Sequence, residues 1–118
     1  KAVDIMRIGL EAQQAALDAI KPGVKASAVD KAACDVLEKH QLLEYRRHRT
    51  GRGLGVDGSE KPEIRSSDDT ILAPGMAFTV EPGIYIPHEM RIRFGDAVVV
   101  TDNGYLNLTP FPKVIPEP

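Results

Sequence analysis

The side chains of this sequence that could do chemistry gather between residues 48 and 95. Glu81 stands in TVEPGIY, at the end of an apolar run and directly before Pro-Gly. A carboxylate presented from a half-buried strand is costly unless it meets a cation, a metal ion or hydrogen-bond donors. Two readings stay open: a strand-end glutamate turned into water, or a ligand or acid/base group. Arg93 alternates with Ile92 and Phe94 in RIRFGD, which puts it on one strand face with Arg91 and Gly95. Its guanidinium either faces solvent or forms a charge-assisted pair with Glu81. His48 opens the stretch HRTGRGLGVDGSEKP, where glycines at 51, 53, 55 and 58 let backbone pass close to a ligand, like the wall of a site. His48 could serve as acid, base or hydrogen-bond donor there, although a histidine inside the basic run RRHR is more often a surface group. His40 and His88 are read as surface residues.

Several chemistries are absent by pattern. A phosphate loop needs GxxxxGK[ST] between strand and helix, whereas GRGLG is followed by VDGSEKPE with no helical periodicity. No CxxC or HExxH cluster supplies a self-contained metal motif. The single cysteine, Cys34, lies in an Ala-rich helical pattern and reads as a small core residue.

The elements that must position these groups follow from periodicity. Val3, Met6, Leu10, Ala16, Leu17 and Ile20 recur near a 3.6 period, which predicts a helix over about 2–20, ended by Pro22 and Gly23. A second helix is expected over about 27–40, with Ser27 capping its first turn, Asp30 in a variant capping box, and Val29, Ala32, Ala33, Val36 and Leu37 on one face. From residue 42 to 118 short β segments alternate with Gly and Pro. Two strands, 76–86 and 91–101, read as antiparallel neighbours, with a bulge or an edge at Pro82-Gly83, a hairpin loop at 87–90 and a tight turn at Asp102-Asn103-Gly104. Residues 108–118, with four prolines, should run as an extended arm. Two helices followed by strands indicate α+β, helices packed on one face of an antiparallel sheet, in one domain over 1–118.

Composition narrows the partners. With 118 residues, 27% charged and 42% hydrophobic, the chain has the size and mix of a single globular unit. A formal net charge of −2 gives no footprint for nucleic acid or an anionic membrane, and no apolar run is long enough to span a bilayer. A cytoplasmic location is the default expectation, consistent with the lone cysteine. The first residue is Lys, so a processed N-terminus or a piece of a longer chain is expected.

HRTGRGLG, PGMAFTVEPGIYIP and RIRFGDAVVVTDNGYLNLTPFP, together with ALDAIKPGV in the first helix, resemble the C-terminal half of the creatinase/methionine-aminopeptidase-like family. Xaa-Pro dipeptidases (prolidases) and aminopeptidases P are the nearest branch, and the likeness covers essentially the whole chain. The resemblance implies an incomplete pita-bread fold, two N-terminal helices on a curved, mainly antiparallel sheet. It also implies a site of two divalent metals, such as Mn, Co or Zn, held by two Asp, one His and two Glu. Transferred residue by residue, the ligand histidine of HRTGHG falls on Arg52. A second, substrate-facing histidine falls on Ser59. The first glutamate is kept as Glu81, and the second, from IRIED, falls on Gly95. The two Asp would precede residue 1. His48, Tyr85 and Arg93 remain as pocket residues.

These departures predict a degenerate dinuclear site with no metal cofactor, in which Arg52 pairs with Glu81 and fills the vacated space. The expected function is a Xaa-Pro dipeptidase-like pseudoenzyme that keeps a pocket for a peptide end or a carboxylate. Two alternatives stand beside it: a part of a working peptidase whose ligands come from further sequence, and a structural half-domain assembling through sheet edges. The expected partners are accordingly a peptide or carboxylate ligand, a second copy of the chain, or the missing N-terminal half.

Overall fold

A computed structural model describes residues 2–46, 49–54, 62–88, 90–93 and 95–109. Helix α1 spans Ala2–Asp18 and α2 spans Ala26–Lys39, followed by a 3-10 turn at Leu43–Tyr45. The strands are β1 Gly51–Arg52, β2 Glu63–Ile64, β3 Ala77–Val80, β4 Gly83–Ile86, β5 Met90–Arg93, β6 Asp96–Val100 and β7 Tyr105–Asn107. All described pairings are antiparallel, so the expected α+β layout holds. In place of one continuous sheet there are three short ladders, β1-β2, β3-β6-β7 and β4-β5.

The two expected long strands are both broken at the same level. The first divides into β3 and β4 around Glu81 and Pro82, and the second into β5 and β6 around Gly95. Proline has no N–H for a ladder, so the pairing stops at Pro82 and resumes at Gly83. β3 then pairs with β6, Val80 opposite Asp96, while β4 pairs with β5, Gly83 opposite Arg93. The hairpin at 87–90 is realised with Ile86 opposite Met90 and His88 at a φ of 62°. The expected turn after Asp102 is closed by the Thr101 N–H donating to the Gly104 carbonyl at 3.0 Å. Beyond it, β7 pairs with β6, a strand that the turn-rich sequence did not announce.

The core is formed by α1 and α2 against β2, β3, β4 and β6. Its members include Ile5, Ala12, Ala16, Leu17, Val29, Leu37, Ile64, Phe78, Val80, Ile84 and Val98. On α1 the buried face runs through Ile5, Gly9, Ala12, Gln13 and Ala16, while Val3, Met6 and Leu10 are only half-buried. The expected face holds at Ala16, Leu17 and Ile20 and is rotated only in the N-terminal half of the helix, where small residues let α1 lie close to its neighbours. On α2, Val29, Ala33 and Leu37 are buried as expected.

Helix α1 ends at Asp18, two residues earlier than the periodicity suggests, and Gly23 adopts a φ of 92° in the reversal. Helix α2 begins at Ala26 and is not capped by a side chain. The Ser27 hydroxyl turns outward to Asp69 at 3.1 Å, and the first free N–H groups of α2 donate to the carbonyls of Thr70 and Asp68. Backbone carbonyls from the 68–70 segment thus do the capping assigned to Ser27. Asp30 is not part of a capping box either; it is buried.

Candidate functional site

The site forms where the two strand breaks face each other. Glu81 follows the last residue of β3, and its N–H donates to the Thr50 carbonyl at 2.6 Å. Thr50 is itself buried, and its hydroxyl donates to Asp30 of α2 at 2.7 Å. Asp30 is 1% exposed and carries a charge, which the Arg46 guanidinium balances by direct contact from the foot of the 3-10 turn. A buried carboxylate needs such a partner. Helix α2 therefore reaches the backbone of Glu81 through Asp30 and Thr50.

Helix α1 grips the other side. The Gln13 side-chain amide, 2% exposed, donates to the Val80 carbonyl at 3.1 Å and to the Asp96 carboxylate at 3.2 Å. Val80 precedes Glu81 and Asp96 follows Gly95, so one amide ties together the flanks of both breaks. Thr109 completes the support, its hydroxyl within 3.4 Å of Asp96 and accepting the Ala97 N–H at 3.0 Å.

The Gly-rich stretch supplies the wall. A Cβ at Gly51 would lie 1.7 Å from the Thr79 carbonyl oxygen, so only glycine lets β1 come this close to β3. The Arg52 N–H then donates to the Thr79 hydroxyl at 3.0 Å, and that hydroxyl lies 3.4 Å from Glu81 Oε1.

Within this frame a pocket of about 320 Å³ is lined by Arg49, Arg52, Glu81 and Arg93. Arg93 Nη2 lies 2.9 Å from Glu81 Oε1, which realises the pair expected between these two residues. Glu81 raises the Arg93 pKa above its usual value, chiefly through this hydrogen bond, with a smaller contribution from Tyr85. Arg52 does not make the ion pair with Glu81 that its position suggested. The cross-strand placement of Arg93 beside the break gives it the shorter reach, and Arg52 stays exposed with no ion pair or side-chain hydrogen bond among the described residues. Arg49 is drawn instead to Glu63 at 3.6 Å. At Gly95 a Cβ would sit 3.2 Å from Glu81 Cβ and 3.3 Å from Oε2, so any side chain at this position would run alongside the Glu81 carboxylate. His48 and Ser59, two of the expected site residues, lie outside the described residues. Among the other histidines, His88 is exposed as expected, but His40 is half-buried at the end of α2, with Nε2 3.6 Å from Glu11.

Against known proteins the resemblance becomes a finding. The pattern of Metallopeptidase family M24 matches residues 1–102. The chain belongs to this family. It is 48% identical over 101 residues to the probable dipeptidase PepE of Mycobacterium bovis, covering 86% of this chain and 27% of that protein. It is 42% identical over 109 residues to the Xaa-Pro dipeptidase of Lactobacillus helveticus, covering 92% of this chain and 30% of the other. The solved prolidase of Pyrococcus horikoshii OT3 superposes with a TM-score of 0.90 at 37% identity, over 95% of this chain and 32% of that one. This M24 chain therefore carries part of the α+β pita-bread fold, and it spans about a third of the length of the curated relatives it matches.

Membership corrects one expectation. The sequence reading foresaw no metal cofactor, whereas M24 is a family of metallopeptidases, and the family points to divalent metal use. The described residues taken alone do not fit a pair of dications. Glu81 is the one carboxylate of a pocket that holds three guanidiniums, and no group of three or more His, Cys, Asp or Glu among the described residues is arranged to hold a metal ion. No helix among the described residues is long and apolar enough to cross a membrane.

Sequence reasoning missed Gln13, Arg46 and the role of Asp30. Gln13 follows Ala12 on the small-residue face of α1, and a polar residue in that stripe was the available signal. For Arg46 the spacing to Asp30 carried none, because a loop joins them.

Proposed function

We propose that this chain forms the metal-proximal part of a Xaa-Pro dipeptidase-like domain whose hydrolytic site is degenerate, so that it has lost peptide-bond cleavage and keeps a pocket for an anionic group such as a peptide carboxylate. One observation carries this reading. The position that would place a second carboxylate beside Glu81 is Gly95, and the remaining lining among the described residues is cationic. A dinuclear hydrolytic centre needs several anionic oxygens to hold two dications a few ångströms apart, and guanidiniums repel them. His48 and Ser59, the other positions transferred from the family pattern, belong to this reading as substrate-side residues, together with Tyr85 and Arg93. Arg93 supplies a planar fork suited to a carboxylate.

The competing reading, a working peptidase completed by further sequence, is favoured by the 48% identity to a dipeptidase and by the coverage of only 27% of its length. The full-length protein separates the two. Metal content is measured together with hydrolysis of Xaa-Pro dipeptides in added manganese, and no turnover above buffer is expected. Turnover accompanied by stoichiometric metal would overturn the degenerate reading and establish the competing one.

A further inference from the structure

We infer that the Arg49–Arg52–Arg93 pocket is a binding site for a tetrahedral dianion, with inorganic phosphate as its simplest ligand. The inference rests on the reading of the pocket as a depleted metal site. Three guanidiniums and one carboxylate line its 320 Å³. The rim adds Glu63, which lies 3.6 Å from Arg49 and 3.3 Å from Arg65. Among the described residues, Arg49, Arg52, Arg65 and Arg93 against Glu63 and Glu81 leave a formal charge of +2 around the pocket, in a chain whose net charge is −2. The excess is therefore local and concave, where field lines from like charges converge and counter-ions concentrate.

The arginines are not equivalent. Glu81 already holds Arg93 at 2.9 Å, and Arg49 is shared with Glu63. Arg52 alone of the three has no side-chain partner among the described residues, although its backbone is fixed by Thr79 and by the close approach at Gly51. A guanidinium on an anchored backbone is a fork with its base set and its donors unspent, and phosphate is the anion whose several oxygens can take forks from more than one arginine. A monocarboxylate offers two oxygens and one charge, which matches one fork and half of the excess.

The test uses the full-length protein in isothermal titration calorimetry with sodium phosphate, then with sodium acetate, at constant ionic strength. Saturable phosphate binding is expected, at least about 10-fold tighter than acetate, weakened about 10-fold or more in Arg52→Gln and less in Arg52→Lys, as loss of a charge-assisted fork predicts. Arg52 is exposed, so unchanged thermal unfolding of both variants will show that a loss of binding is not a loss of fold. Absence of saturable phosphate binding, or equal affinity in Arg52→Gln, overturns the inference. So does phosphate binding abolished by a chelator, since the anion would then be held by a metal and not by the arginines. Peptidase turnover with stoichiometric metal would remove the degenerate-site reading, whereas lack of phosphate binding without turnover removes only this inference.

Discussion

At the scale of single residues, the most consequential contact lies behind the pocket. Asp30 is almost completely buried and is balanced by Arg46, while Thr50 donates to the same carboxylate. Removing the cation leaves an uncompensated buried charge, so Arg46→Ala should cost about 3 kcal/mol in urea unfolding. Arg46→Ala combined with Asp30→Asn should recover part of that, since no bare charge then remains. The same pair governs Cys34. Burial, followed by the charge of Asp30, pushes its thiol up to about 11 from 9.0, with Arg46 pulling the other way. A thiol at about 11 holds its proton where the unfolded chain, at 9.0, has lost it, so this group's contribution to stability is complete below pH 9.0 and declines as pH rises to about 11. Chemical denaturation across that window should fall more steeply for the native protein than for Cys34→Ala. Alkylation at pH 8 should be about 100-fold slower in the folded chain than in denaturant, in step with the thiolate fraction. Equal alkylation rates would show the thiol to be unperturbed.

Elements, rather than residues, were the more legible part of the sequence. Both helices, the antiparallel relation of the 76–86 and 91–101 segments, and the turn at residue 102 follow from periodicity and turn chemistry. The break in each strand did not, beyond the expectation at Pro82, because Gly95 signals flexibility without saying that the ladder changes partner there. The capping of α2 by the carbonyls of residues 68 and 70 is a contact across some forty residues, which no local pattern encodes. In the site, the Glu81–Arg93 pair could be read from alternation, whereas Arg52 pairing with Glu81 was inferred from complementary substitutions and ignored which side chain has the shorter reach. The clamp by Gln13 is the element-level feature with the clearest consequence. Gln13→Leu should cost about 1–3 kcal/mol by removing the buried amide that bridges the Val80 carbonyl and the Asp96 carboxylate. Thermal unfolding checks this, and an unchanged midpoint would show that the two strand flanks do not depend on α1. Gly51→Ala should be worse, because a Cβ 1.7 Å from a backbone oxygen can be relieved only by separating β1 from β3. Its unfolding midpoint should drop by more than that of Gln13→Leu.

For the whole molecule, the fold and the proposed loss of hydrolysis can be tested separately. The M24 scaffold is retained closely enough to superpose on a prolidase at a TM-score of 0.90, while two positions that the resemblance assigns to metal ligands carry Arg52 and Gly95. If those two positions limit catalysis, Arg52→His with Gly95→Glu in the full-length protein should bring manganese-dependent Xaa-Pro hydrolysis above the native level. The pair should also raise the thermal midpoint on adding manganese. Each single change should do less, since one leaves the cation and the other the missing carboxylate. The space permits the second substitution: among the described residues the new Cβ would meet only the Glu81 side chain, at 3.2 and 3.3 Å, and that side chain can shift by a few tenths of an ångström. No gain in the double variant would place the loss elsewhere.

The facing interruptions in the two strands have a bearing on how such a chain changes over time. Glu81 and Gly95 lie in gaps of the ladders and Arg93 at the very end of β5, while the pairings of β3 with β6 and of β4 with β5 lie to either side. Exchanging those side chains disturbs few cross-strand hydrogen bonds and little of the interior. Gly95 in particular can change without removing a ladder pairing, so a lineage could alter the chemistry beside Glu81 while the pairings to either side stay in place.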